Sequence, residues 1–396
     1  MGLKFYLIGI TAVAVVADSM LLPFYPQYFA ERFGIDSPEH VGSYTAAICL
    51  VAMLALPLWA KLARRQGTLQ LLIWTQLGAM TFCVATVWAQ QLWLFWLLSL
   101  VMIVFKASYL LVYPFLMERV TEAEHAHTIG VLSIVVHFGH IAGALLGGMA
   151  LVYWPLKYAF LLMAIGDLLQ ILVCAYLLWA GLDKGAAATV SHHEAQSEQP
   201  EPISRVSTGS RRIYGLGVLM LLFYFSEYQV VPFFVEYWQQ LETGDNLQLA
   251  SFIYAIPAFV ALVALVTNRL YGEWGSHVYF CLPLAIGGLL LQASGEPSWV
   301  IMGRLMFGWA SFQLTVKLDA LLFASSAPEA YAADYAKINI FQNVGVLLSY
   351  YGAGVFVAIK GLAFPFIVAA GGLLLTLICY PLFVDNQQRR AIDATS

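Results

Sequence analysis

With 61% of its 396 residues hydrophobic and only 11% charged, the chain lacks the polar residues needed to cover a soluble globule and reads instead as a polytopic helical membrane protein. The formal net charge of -4 says little, because orientation in a membrane depends on where Lys and Arg sit and not on their sum. Five cysteines, odd in number and scattered through apolar runs, read as reduced packing residues, and no cofactor, metal or nucleic acid is expected.

The first apolar run, near 5–30, holds Asp18 in its middle and then Pro23 and Pro26. About thirteen residues at roughly 1.5 Å rise place Asp18 close to the midplane of a bilayer about 30 Å thick. The run is too long for a signal peptide, contains an acid and two prolines, and shows no small-residue cleavage site, so it is expected to stay as the first span. Further runs fall near 41–63, 69–90, 92–117, 128–153 and 156–180, and after a break near 213–239, 249–271, 276–295, 298–325, 334–359 and 362–384. That is six plus six. The expected organisation is a six-helix bundle over 1–181, a polar linker over 182–212, a second six-helix bundle over 213–385 and a tail over 386–396. Apart from Arg32, Lys157 and Lys360, and from Lys106, Arg304 and Lys317 inside spans, every Lys and Arg falls on one side if both termini are cytoplasmic.

The two halves repeat each other. Asp18 falls on Glu227, Pro23 on Pro232, Phe24 on Phe233 and Tyr28 on Tyr237, a shift of 209 positions. Ser43-Tyr44 matches Ser251-Phe252, and Lys61-Leu62 and Gly67 match Arg269-Leu270 and Gly275, at a shift of 208. An acid and a proline at matched spacing mark a duplicated membrane unit. On these residues the chain resembles the major facilitator superfamily, which implies an all-α membrane fold of twelve transmembrane helices in two pseudo-symmetric six-helix bundles.

The fifth run, from Gly139 through Gly143 to Gly147 and Gly148, resembles the glycine-rich motif of the drug/proton antiporter branch, with Ala144 in place of its proline. Glycines at such spacing strip one helix face and let a neighbour pack backbone to backbone. The stretch Pro23-Phe24-Tyr25-Pro26 resembles the end of that branch's first-helix motif. The loop Ala60-Lys61-Leu62-Ala63-Arg64-Arg65-Gln66-Gly67 resembles the superfamily's G-x-L-a-D-R-x-G motif, retaining Arg65 and Gly67 but carrying Arg64 where the acid belongs. The R-x-x-x-G motif of the fourth span is missing there and appears in the tenth as Arg304 to Gly308. These residues are the expected motif and gating set.

Ionisable groups inside the spans carry the functional reading, because each is costly in lipid and faces a cavity or a partner. Asp18 and Glu227 are the expected proton-coupling pair, since a carboxyl whose contact with water alternates can take up and release a proton. The alternative is a structural pair. Lys106 reads as counter-ion to Asp18 or as anchor for an anionic substrate group, Arg304 as a structural hub, and Asp167 as an interhelical group. Lys317 and Asp319, two apart on a helix, each need another partner. His137 and His140 share a face without a Glu between them or a Cys nearby, so no zinc site is expected. Tyr25, Tyr109, Tyr113 and Phe233, with Lys106, Lys317 and Asn343, form the expected substrate-binding set.

An enzyme is disfavoured, as no nucleophile with a base and no H-E-x-x-H is present, and without a Walker-type loop the energy source is an ion gradient. The expected function is proton-coupled transport by a monomer in the cell inner membrane, exporting a small polar or amphipathic molecule by antiport. Counting Lys106, Lys317 and Arg304 against the acids suggests an anionic substrate, such as a carboxylate metabolite or siderophore. The alternatives are a proton symporter that imports its solute, a multidrug efflux pump, and a non-transporting receptor.

Overall fold

A computed structural model of the chain describes residues 3–117, 119–120, 122–181, 206–242, 246–271, 277–326 and 331–384. Its helices are α1 (Leu3–Ser19), α2 (Tyr25–Phe33), α3 (Pro38–Gln66), α4 (Thr68–Val87), α5 (Leu92–Lys106), α6 (Val112–Met117), α7 (Glu122–Tyr153) and α8 (Ala159–Trp179). They continue as α9 (Val206–Tyr228), α10 (Phe234–Leu241), α11 (Leu247–Tyr271), α12 (Val278–Gln292), α13 (Pro297–Ser325), α14 (Tyr331–Lys360) and α15 (Phe364–Phe383). Among the described residues, nine segments are long and apolar enough to cross a membrane, and α12 is a shorter apolar helix. The remaining two runs, α9 with α10 and α13, carry Glu227 and the charges Arg304, Lys317 and Asp319.

Each apolar run expected from the sequence is present, but three of them are broken where a single helix was expected. The first stops at Ser19 and restarts at Tyr25 after a short 3-10 turn, Leu22–Phe24. Pro23 has no N–H to offer the Ser19 carbonyl four residues back, and Pro26 repeats the defect for Leu22. Asp18 therefore lies at the end of a helix and not in the middle of one. In the second half α9 stops at Tyr228, Pro232 withholds the matching hydrogen bond, and Glu227 sits one residue before the end. The third break is the 3-10 stretch Ala107–Leu111, immediately after Lys106 and ahead of Pro114, which leaves Leu110 without its usual donor.

The chain gathers into two compact units, and three of the five borders between them fall within helices, at 49/50, 143/144 and 207/208. One comprises Met1–Met20, Leu50–Gly143 and Pro155–Ser207, and is built around α1, α4, α5 and α8. The other comprises Leu21–Cys49, Ala144–Trp154 and Thr208–Ser396, with α11 to α13 and α15 as its most closely packed helices. The expected linker over 182–212 lies outside the described residues up to residue 205, and α9 begins within its last part. Large apolar side chains, including Leu58, Trp74, Trp93, Trp154, Leu270 and Trp299, point outward from the helices, a surface suited to lipid. All five cysteines are free thiols.

Candidate functional site

The break in the first run is where the first unit concentrates its charge. Lys106, the last residue of α5, places Nζ 2.8 Å from Asp18 Oδ1 and 2.5 Å from Asp167 Oδ1 on α8. The lysine side chain is 3% exposed, Asp167 is 0% and Asp18 is 22%, so one acid is sealed and the other reaches the accessible side. A lysine alone in such a place would be costly, and two carboxylates at contact distance offset that cost. The second oxygen of Asp167 accepts from the Cys83 thiol at 3.5 Å. Just beyond Lys106, Ser108 Oγ lies 2.6 Å from Thr75 Oγ1 and accepts from Gln76 at 3.4 Å, while the Trp59 indole donates to the Val104 carbonyl at 2.6 Å. These bonds fix the irregular turn that aims Lys106.

Small residues bring the acids together. A Cβ at Gly139 would meet Val15 Cγ1 at 2.9 Å, and one at Gly143 would run into the Val16 carbonyl oxygen and lie 2.8 Å from Ser19 Cβ. The glycine stripe of α7 thus presses on the last turns of α1, which carry Asp18. On the other flank, a Cβ at Gly166 would lie 2.6 Å from Ala17 Cβ, so α8 can approach closely enough for Asp167 to share the lysine. Ser19 Oγ donates back to the Val15 carbonyl at 2.7 Å and lies 2.6 Å from His140 Nδ1. The side chain of His137 lies outside the described residues.

The second unit repeats the arrangement with different chemistry. Gly372 of α15 packs on Ser226, the residue before Glu227, as Gly166 packs on Ala17, the residue before Asp18. Gly345 of α14 meets the Leu221 carbonyl of the same helix. Glu227, however, is met by a hydroxyl: Ser311 Oγ donates to its Oε1 at 2.5 Å. Asp319 and Tyr224 lie within electrostatic reach of it, and the Tyr224 and Tyr228 rings stack at 5.9 Å.

The other predicted residues are dispersed. Tyr109 lies within electrostatic reach of Asp18 and Lys106, and Tyr113 is half-buried on α6. Tyr25 is buried in an aromatic cluster with Phe29 and Tyr44, at ring distances of 6.1 and 4.9 Å. Phe233 is buried beside a cavity of about 130 Å³ that is also lined by Gln27, Asp36, Glu236 and Gln239. Lys317 is buried, and the Asn343 amide is turned back onto Asn339 of its own helix at 2.8 Å. Gly147 is buried, whereas a Cβ at Gly148 would overlap Ser251. Arg65 is exposed in the last turn of α3, where its charge complements the helix dipole, and Gly67 takes the left-handed φ of 85° that turns the chain into α4. Arg304 binds the backbone of α11, and Gly308 packs on Pro257. Among the described residues no group of His, Cys, Asp and Glu could hold a metal ion.

The sequence model of the Major Facilitator Superfamily matches residues 7–291. The chain belongs to the Major Facilitator Superfamily. It is a multi-pass membrane transporter with the all-α fold of that superfamily. Among its curated relatives, the Multidrug resistance protein MdtG of Klebsiella pneumoniae (strain 342) is 22% identical over 373 residues, covering 91% of this chain and 88% of the relative. The protein of the same name from Salmonella choleraesuis (strain SC-B67) is 22% identical over 389 residues, with 95% and 94% covered. Among solved structures, a bacterial homolog to the human lysosomal transporter Spinster aligns at a TM-score of 0.68 and 13% identity, covering 96% of each chain. The human organic anion transporter MFSD10 (TETRAN) aligns at 0.66 and 15%, covering 96% of this chain and 100% of the other.

Sequence reasoning read Asp167 as an interhelical group without naming its partner; the partner is Lys106, which Asp167 shares with Asp18. The available signal was the rarity of an acid deep in an apolar run, strengthened by the glycine beside it. Ser311 and Cys83 carried no signal, because a hydroxyl or thiol on an apolar helix usually only bonds back to its own backbone.

Proposed function

We propose that this transporter is a proton-coupled exporter that moves a small polar or amphipathic organic molecule out across the cell inner membrane by alternating access. It works as a monomer with both termini cytoplasmic, and its two six-helix bundles are joined by the bridge that precedes α9. One observation carries the proposal: each half ends a broken helix just past a matched acid, with a glycine of its last helix on the residue before it. In the first half the acid is ion-paired to Lys106, and in the second it is held by Ser311. Protonation of Asp18 weakens its hold on Lys106, so proton uptake and the α1 break are linked through one contact. Discontinuous helices bearing ionisable groups are a recurrent way to build substrate and ion sites in membranes.

Antiport requires proton and substrate to compete, and ionised Asp18 and Glu227 are the groups over which they would compete. Two of the three cations that an anionic substrate would need are already engaged, since Lys106 meets two carboxylates and Arg304 meets carbonyls and rings. We therefore assign the substrate to neutral or cationic amphipathic molecules; the name Multidrug resistance protein carried by the MdtG relatives supports a drug-like substrate.

Purified protein in proteoliposomes with an imposed pH gradient, supplied with a panel of cationic and anionic dyes, tests this. Asp18→Asn and Glu227→Gln are expected to fold but to lose gradient-driven movement. Full transport by both variants would overturn the coupling assignment, and anion-only transport would overturn the substrate class. Inverted membrane vesicles decide direction: dye accumulation driven by an interior-acid gradient is export, and its absence alongside uptake by intact cells is import.

A further inference from the structure

Arg304 is buried in α13 and, among the described residues, has no carboxylate in its hydrogen bonds. Its Nε donates to the Ile253 carbonyl of α11 at 3.3 Å, and a terminal nitrogen donates to the Tyr254 carbonyl. The guanidinium lies 4.0 Å from the centre of the Phe234 ring and 5.4 Å from that of Tyr254. The choice of Ile253 has a covalent cause. Pro257 lies inside α11, four residues after Ile253, and has no N–H for that carbonyl. A carbonyl so orphaned inside a membrane must find another donor.

Gly308 completes the contact. It sits four residues after Arg304 and so on the same face of α13, and a Cβ there would fall 2.8 Å from the Pro257 carbonyl oxygen and 3.0 Å from its carbonyl carbon. The R-x-x-x-G spacing therefore matches the proline turn at two points: glycine admits its backbone and arginine satisfies the carbonyl it leaves open. Phe234, under the guanidinium, is the first residue of α10, directly past the Pro232 break that follows Glu227.

We propose that Arg304 is a positioning residue that clasps the proline-opened turn of α11 and ties it, through Phe234, to the broken helix carrying Glu227. The assignment does not depend on which molecule is carried. It makes a specific epistatic prediction, because Pro257→Ala returns an N–H to the Ile253 carbonyl and leaves Arg304 only the Tyr254 carbonyl and the rings.

Hydrogen–deuterium exchange of the purified full chain in lipid nanodiscs reads this without any substrate. Arg304→Met should speed exchange in peptides covering 247–260 by about tenfold or more, and in 234–241 to a smaller extent, while α8 stays unchanged. Arg304→Lys, which keeps the charge but loses the fork, should fall between the two and serves if the Met variant fails to insert. In the Pro257→Ala background, Arg304→Met should change exchange in α11 by less than about twofold. Equal acceleration in both backgrounds, acceleration spread evenly over all helices, or no change in α11 would each overturn the proposal.

Discussion

Removing the charge of Asp167 should damage folding more than transport, and removing that of Asp18 should do the reverse. Both carboxylates touch the same buried ammonium, at 2.5 and 2.8 Å. At an effective dielectric of about 20, each contact is worth about 6 kcal/mol of attraction before desolvation is subtracted. What separates the two acids is exposure. Asp167 is wholly sealed, so Asp167→Asn breaks a buried pair, which typically costs about 3–5 kcal/mol. Asp18 is 22% exposed and so less fully desolvated, and Asp18→Asn should cost about 1–2 kcal/mol. Lys106→Met leaves two acids facing each other and should be the most destabilising of the three, while Lys106→Met with Asp167→Asn should lose less than the sum, by about 1–3 kcal/mol. Thermal melts of detergent-purified variants give the order, and proteoliposome transport gives the activity. If Asp18→Asn melts as early as Asp167→Asn, or if the double variant is additive, the division between a sealed anchor and an exchanging acid is wrong.

Ser311→Ala takes away the hydroxyl that donates to Glu227 Oε1 and should cost about 1–3 kcal/mol in melts and slow gradient-driven transport, with Ser311→Thr recovering much of both. Gly143→Ala pushes a methyl against the Val16 carbonyl and should destabilise by about 1–3 kcal/mol, whereas Gly139→Ala meets Val15 Cγ1 and Cβ at 2.9 and 3.0 Å with the nearest backbone atom, Val16 N, at 3.8 Å, and should cost less; equal melts would refute the contrast. A Cβ at Gly42 would lie 2.8 Å from Gly354 Cα, so Gly42→Val should hold α3 off α14 and speed maleimide labelling of Cys49, whose thiol lies 3.6 Å from the Asn343 carbonyl; unchanged labelling would refute it. Cutting the chain within 186–207 and co-expressing the halves should restore transport, and inserted halves that fail to reassemble would count against two independently folding bundles.

The membrane class, the apolar runs and the duplication were legible in the sequence, because span length, charge distribution and internal repetition are local properties of the chain. So was the cost of placing Asp18, Lys106, Asp167, Glu227 and Arg304 in lipid, which marks them whatever their partners are. The prolines were visible too, yet periodicity alone counted straight through them and read three broken runs as single helices. Partners were another matter. Lys106 could have answered Asp18 or a substrate, and only tertiary packing gave it Asp18 and Asp167 together, from helices 88 and 61 positions away in sequence (106 less 18; 167 less 106). The glycine stripe of α7 was readable as a close-packing face, but that it rests on the turns bearing Asp18 was not, since a bare helix face does not name its neighbour. Arg304 looked like a hub because it is a charge near the outer end of its span; its target was fixed by a missing N–H at Pro257, a defect that acquires a partner only when α13 lies against α11.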